Sequence, residues 1–293
     1  MGEYSVINSY QGAFGPPTLG HYEAMKMAAQ EHLKDFPQGN ILMIFMPTAR
    51  SSDKKHLEST QNERIEMLEI FCTKLREEFG VNSRIHFQAS NIEYELYPIV
   101  KNTATIYTIQ HLRELYPTAT LTLTMGLDNL FDLPYWKDVG KYNELLAKIY
   151  VPNRVLEEKD IAKTTEFEGG IRFTTIAPSW SKATVEGQRE YLTQLMSKVS
   201  MLPSPPPTSS SMLRCALHIG DKEKVAKLIG PIDDISKWDS FYEKIKGIPG
   251  MFDKCDSFLA DYAKAFNTQQ GGRKKRKQTK RRNMKKKRTQ RKK

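Results

Sequence analysis

The sequence predicts an α/β protein: a parallel sheet flanked by helices, then a helical C-terminal part and a disordered basic tail. Three observations carry this reading. Short β-rich runs alternate with helical patterns through most of the chain. One run, Ile41–Met46, is apolar at every position, as a strand buried on both faces requires. The charge also changes character near the end. The formal net charge is +11, yet Gly271–Lys293 holds 15 basic residues and no acidic one. Residues 1–270 keep 30 basic and 34 acidic residues, so the body carries about −4 and only the tail is basic. A basic isoelectric point therefore does not make the body a nucleic-acid-binding fold.

Taken in order, Tyr4–Ser9 reads as a weak strand, Asn40–Met46 as a strong one, and Arg84–Ala89 and Thr120–Met125 as two more. Lys148–Val151, Ile171–Ile176 and Lys198–Leu202 complete the set. Between them Gly20–Lys34, Gln61–Phe79 and Thr103–Leu115 place apolar residues three and four apart. In the second of these, Ile65, Leu68, Phe71, Cys72 and Leu75 line one helical face. Leu202–Ser211 is a Pro/Ser-rich connector with the composition of a flexible linker. Met212–Ile229, Ser236–Ile245 and Met251–Phe266 then read as helices. The domain so defined spans 1–268, with a sheet core to about 210 and helices over about 211–268. Residues 269–293 are too charged to pack.

The longest apolar run is six residues, where a membrane span needs roughly 20. The N-terminus lacks the basic-then-apolar pattern of a signal peptide. Cys72, Cys215 and Cys255 show neither metal-site spacing nor a disulfide framework. These features predict a soluble intracellular protein with no membrane partner, cytoplasmic or, through its tail, nuclear. The tail also suits nucleic acid or another polyanion.

Two segments carry chemistry. Gly12-Ala13-Phe14-Gly15-Pro16-Pro17-Thr18-Leu19-Gly20-His21 follows a strand and opens a helix. Glycines there let backbone approach a phosphate, and the helix N-terminus attracts negative charge. Thr18 and His21, three apart, face one side of the helix start, where a histidine can donate to a phosphate oxygen gaining charge. By itself the loop is equally a Gly/Pro turn before an ordinary helix. The second segment, Thr208-Ser209-Ser210-Ser211-Met212-Leu213-Arg214, puts hydroxyls, free amides and a guanidinium in one helical turn, the parts of a polyphosphate clamp. Alone it is more often a simple N-cap.

Together the two segments resemble the (H/T)xGH nucleotidyltransferase superfamily, whose signatures match Thr18-Leu19-Gly20-His21 and, with Ser for Thr, Ser209–Arg214. Within it the chain is most similar to the nicotinamide/nicotinate mononucleotide adenylyltransferases. Further matches are Pro47, Lys54-Lys55-His56-Leu57, Arg64 and Met67-Leu68, then Gly126-Leu127-Asp128 with Trp136. The resemblance covers residues 4–230 or so and implies a Rossmann-like fold. Two positions depart from it: the usual loop hydroxyl is Ala13, and the usual Asn or Asp after the loop Phe is Gly15.

The resemblance implies transfer of AMP from ATP to a pyridine mononucleotide, with Mg²⁺ accompanying the ATP and no protein-bound metal. Thr18, His21 and Arg214 would be the catalytic groups. Gly12, Phe14, Gly126, Asp128, Ser209 and Ser210 would hold ATP, Asp128 through the ribose hydroxyls. Lys54, Lys55, Thr105, Thr108 and Trp136 would hold the mononucleotide, with Trp136 stacked on the pyridinium ring. Tyr107-Thr108 fits the family pattern in a second register, leaving the Thr105 and Thr108 assignment open. His32, His86, His111 and His218 read as structural or surface residues. The sequence does not choose between amide and acid substrates, nor does it reveal the oligomeric state. Two rival readings remain: another transferase of the superfamily, such as a phosphopantetheine adenylyltransferase, or a degenerate transferase that binds nucleic acid through its tail.

Overall fold

The computed structural model describes residues 4–49, 54, 56–80, 83–100, 104–133, 136–153, 189–258 and 260. A six-stranded, wholly parallel sheet runs in the order β3-β2-β1-β4-β5-β6. Its strands are β1 (Tyr4–Gly12), β2 (Asn40–Pro47), β3 (Ile85–Ala89), β4 (Thr120–Thr124), β5 (Leu146–Pro152) and β6 (Val199–Leu202). The chain winds outward from β1 to β3, returns to β4 beside β1, and winds the other way. The connections after β1 and β4 therefore part company, opening a crevice at the carboxyl ends of these strands, where sheets of this kind bind ligands.

Two apolar cores cover the sheet, one on each face. On the first, Val6, Tyr10, Met43 and Phe45 meet α1 (Leu19–Asp35), α3 (Gln61–Phe79), α9 (Ser210–His218), α10 (Lys222–Ile229) and α11 (Ser236–Ile245). On the second, Ile7, Leu42, Ile44 and Leu121 meet α5 (Thr105–Leu115), α6 (Leu127–Asp132), α7 (Val139–Leu145) and α8 (Arg189–Met196). Two shorter helices, α2 (His56–Ser59) and α4 (Ile92–Val100), lie between β2 and α5 in the chain.

β1 is longer than its sequence suggests and sits at the centre of the sheet, despite the polar residues that weaken its pattern. Buried partners meet some of them: Asn8 Oδ1 accepts from Thr122 at 3.2 Å and Thr124 at 3.0 Å, and Ser9 donates to Met46 Sδ at 3.5 Å, while Asn8 Nδ2 has no partner. His32 joins this network. Its Nδ1 donates to the Ala28 carbonyl at 2.6 Å and its Nε2 lies 2.7 Å from the Thr122 hydroxyl. This histidine is structural, as the sequence reading has it.

Three readings need correction. The connector before α9 is no flexible linker, because Gly20 donates to Thr208 Oγ1 at 2.7 Å and Ser210 donates to the Pro16 carbonyl at 2.7 Å. The helix read over Met212–Ile229 is two, parted at Gly220, whose φ of +69° is left-handed. A disulfide joins Cys215 of α9 to Cys255 across 40 residues of sequence; two cysteines so far apart, without a repeating pattern, do not announce their pairing. The helix expected from Met251 starts only at Cys255, after bend and turn residues; its expected end, the candidate strand Ile171–Ile176 and the basic tail lie outside the described residues. No helix among the described residues is long and apolar enough to cross a membrane.

Candidate active site

A cavity of about 920 Å³ opens at the carboxyl ends of β1 and β4, within the size range of small-molecule sites. The loop after β1 forms its floor. Four loop carbonyls are held by side chains distant in sequence. Arg64 donates to the Ala13 carbonyl at 2.6 Å, Arg214 to Gly15 at 2.5 Å, Ser210 to Pro16 at 2.7 Å, and Trp238 Nε1 to Pro17 at 3.1 Å. Phe14 has a left-handed backbone, φ 42°, which costs a non-glycine residue on the order of 1 kcal/mol. Packing holds it there: its buried ring meets Tyr10 at 5.2 Å, His21 at 5.0 Å and Phe45 at 5.7 Å. Gly12 leaves the ring its space, since a Cβ there would lie 3.2 Å from it and crowd it.

The two phosphate-type segments meet directly. Thr18 caps α1, and its backbone N–H donates to His21 Nδ1 at 3.0 Å. The Thr18 hydroxyl lies 3.0 Å from the same nitrogen and accepts from Thr208 Oγ1 at 3.2 Å. Because Nδ1 receives the backbone donor, the neutral ring carries its proton on Nε2. Burial pushes the His21 pKa down to about 4, against the opposing pull of Asp128. At neutral pH the ring is therefore a neutral Nε2–H donor on the cavity wall. Opposite, Ser209 caps α9 and accepts from Met212 N at 3.2 Å, while Arg214 donates to Ser211 Oγ at 2.9 Å. Burial lowers the Arg214 pKa, and its Nε has no partner. Hydroxyls, a helix N-terminus, an imidazole N–H and a guanidinium thus face one space, a combination suited to phosphate oxygens.

The rest of the site is less uniform. Gly126 and Asp128 line the cavity after β4, with Asp128 exposed in the first turn of α6. A Cβ at Gly126 would lie 2.4 Å from Asp128 Oδ1, so the glycine leaves room for that carboxylate. Lys54 lies exposed at the rim, and Lys55 lies outside the described residues. Half-buried Trp136 lines the cavity and packs on Tyr142, ring centroids 5.6 Å apart. Thr105 lines the cavity at the start of α5, whereas Thr108 is buried in the helix interior and does not.

Several lining residues have no role in the sequence reading, although Thr208 and His56 lie within the segments it singles out. Thr208, which bridges the two helix starts, sits one position before the recognised motif. His56, Gln11 and Tyr142 line the cavity as buried side chains, and His56 Nε2 and Gln11 Nε2 have no hydrogen-bond partner. Glu93 also lines it, and burial raises its pKa to about 8 although the Ala49 N–H and Arg64 both stabilise its charged form. Arg64 is the buried support beneath these loops. Besides Ala13 it donates to the carbonyls of Thr48 at 3.0 Å and Leu57 at 2.6 Å, and to the Tyr94 hydroxyl.

The cytidylyltransferase-like family is matched over residues 9–216. A probable nicotinate-nucleotide adenylyltransferase of Leptospira interrogans is 26% identical over 158 residues, 54% of this chain and 71% of the relative. Another, of Vesicomyosocius okutanii, is 27% identical over 139 residues, 47% of this chain and 58% of the relative. A solved structure of Plasmodium falciparum nicotinic acid mononucleotide adenylyltransferase complexed with NaAD is 17% identical. It covers 85% of this chain and 98% of its own, with a TM-score of 0.46.

Proposed function

The chain belongs to the cytidylyltransferase-like family, and from that premise we propose that it transfers AMP from ATP to nicotinate mononucleotide. The observation that carries this reading is the meeting of the Thr18–His21 and Ser209–Arg214 helix starts through Thr208. The names of the curated relatives support the acid rather than the amide as acceptor.

In this reading a 5′-phosphate oxygen of the mononucleotide attacks the α-phosphorus of ATP in line. A new phosphorus–oxygen bond forms, the bond from the α-phosphorus to the pyrophosphate oxygen breaks, and pyrophosphate leaves without a covalent enzyme intermediate. Such a reaction asks the protein for positioning and charge neutralisation. His21 donates from Nε2 to an ATP phosphate oxygen as its charge grows. Thr18 and Thr208 hold that imidazole in the required tautomer. Arg214, Ser209 and Ser210 hold the β- and γ-phosphates, and the backbone at Gly12 and Phe14 lies against the nucleotide. Asp128 accepts from the ribose hydroxyls, with Gly126 keeping its place open. Lys54 and Lys55 neutralise the attacking phosphate, while Trp136 and Thr105 border the pyridine ring. The donors gathered here suit phosphate oxygens rather than a cation, so Mg²⁺ belongs to the substrate MgATP and is bound by its phosphates.

The test is to measure kcat/KM for nicotinate and nicotinamide mononucleotides with MgATP, following dinucleotide by chromatography. We expect turnover with both and a preference for the acid of at least about ten-fold, equivalent to about 1.4 kcal/mol. An equal or reversed preference removes the acid assignment, and no dinucleotide from either removes the reaction.

A further inference from the structure

His56 opens α2 against the far side of the first loop, and the mechanism above gives it no part. Its side chain is 5% exposed, yet Nε2 has no hydrogen-bond partner. A polar nitrogen buried without a partner is destabilising, and a ligand atom in reach would offset that loss. The surroundings define the ligand. The imidazole is held neutral first by burial, then by the positive charges of Arg214, Arg64 and Lys54. Of these cations, Arg214 lines the cavity and keeps an unpartnered buried Nε, while Lys54 lies exposed at its rim. Positive charge with unused donors, focused on one stretch of cavity wall, calls for an anion.

Gly15 is what admits the imidazole. A Cβ at this position would lie 2.9 Å from His56 Nε2 and 3.2 Å from Leu57 Cδ2, so any side chain on residue 15 must displace the ring. The departure at Gly15 thereby gains a physical reason: the loop gives up a side chain, and an imidazole from α2 takes the space.

We propose that His56 is a phosphate-contacting residue of this site, its Nε2 donating to an oxygen of a substrate phosphate bound between Lys54 and Arg214. The proposal rests on the adenylyl-transfer reading, which supplies two phosphate-bearing ligands, the mononucleotide and ATP. A neutral imidazole can place its proton on Nε2, and an anion opposite that nitrogen favours this tautomer.

The experiment is titration calorimetry on the full chain and its His56→Ala, His56→Gln and Gly15→Ala variants. The ligands are nicotinate mononucleotide and a non-hydrolysable ATP analogue, each paired with its phosphate-free counterpart, nicotinate riboside and adenosine. His56→Ala is expected to weaken one of the nucleotides about ten-fold while both nucleosides stay within about two-fold. His56→Gln, which keeps a donor, recovers most of that loss. Gly15→Ala, which pushes the ring aside, reproduces the loss without altering His56 and carries the test if the alanine variant does not fold. The nucleotide that loses affinity identifies the phosphate. Equal losses for nucleotide and nucleoside, or undiminished binding of both nucleotides, overturn the proposal. A folded wild-type protein that binds neither nucleotide defeats the adenylyl-transfer reading itself and this proposal with it, a result distinct from wild-type and variant binding alike.

Discussion

The two ends of the cavity are built on different principles. At the phosphate end nearly every group is locked by another: Thr208 holds Gly20 and Thr18, Thr18 holds His21, and Arg214 holds the loop at Gly15. At the other end, the base end of the proposed reaction, Trp136 and Tyr142 rest on each other with ring centroids 5.6 Å apart. In the proposed reaction, charge developing on phosphate oxygens needs donors at fixed distances, which the interlocked end would supply. Holding a flat ring needs apolar area and one or two donors, which packing supplies with less precision.

Substitutions at the two ends should therefore differ in size and in kind. The largest loss is expected for His21→Ala, with kcat reduced about 10²- to 10³-fold, the cost of one donor to developing charge. A loss under ten-fold would mean that the helix N-terminus alone stabilises the leaving pyrophosphate. Arg214→Ala should follow at about 10- to 100-fold in kcat/KM, the range for a hydrogen bond to a charged group. Steady-state kinetics with varied ATP checks both. Gly126→Ala drives its Cβ against Asp128, and the KM for ATP should rise about ten-fold with kcat little changed. Trp136→Ala, at the base end, should raise the mononucleotide KM about 2- to 30-fold, the worth of one cation–π contact. A collapse of kcat in that variant would show that the base end also positions the reacting atoms.

The smallest effect expected is one of pH. Burial lowers the His21 pKa to about 4, so its neutral, donating form is complete above that value and disappears only as pH falls toward it. The kcat/KM profile for ATP, which reports the free enzyme, should show no His21 inflection near 6.5. An inflection there that vanishes in His21→Ala would mean the ring works as a cation.

The same division governs what the sequence reveals. Ile41–Met46 announces a buried strand because every position is apolar, and the two helix-start motifs are legible because each spans six residues or fewer. β1 is harder to read, since Asn8 and Ser9 look wrong for a central strand until β4 supplies Thr122 and β2 supplies Met46. Thr105 and Thr108 are three residues apart on one helix, and only the packing of α5 shows that one reaches the cavity and the other the interior. His56 sits in a family-matched segment that gives it no role, and Glu93 lines the cavity through contacts that join loops after different strands, which no local pattern carries. The Cys215–Cys255 pairing is of the same kind.

The most direct test follows both products at once. The purified 293-residue chain is incubated with MgATP and nicotinate mononucleotide, beside its His21→Ala variant, and pyrophosphate and dinucleotide are quantified together. The wild-type protein should form them in equal amounts, only when both substrates are present, and the variant should lose both in parallel. Pyrophosphate released without dinucleotide, or dinucleotide formed equally well without His21, would contradict an adenylyl transfer run by the two joined helix starts.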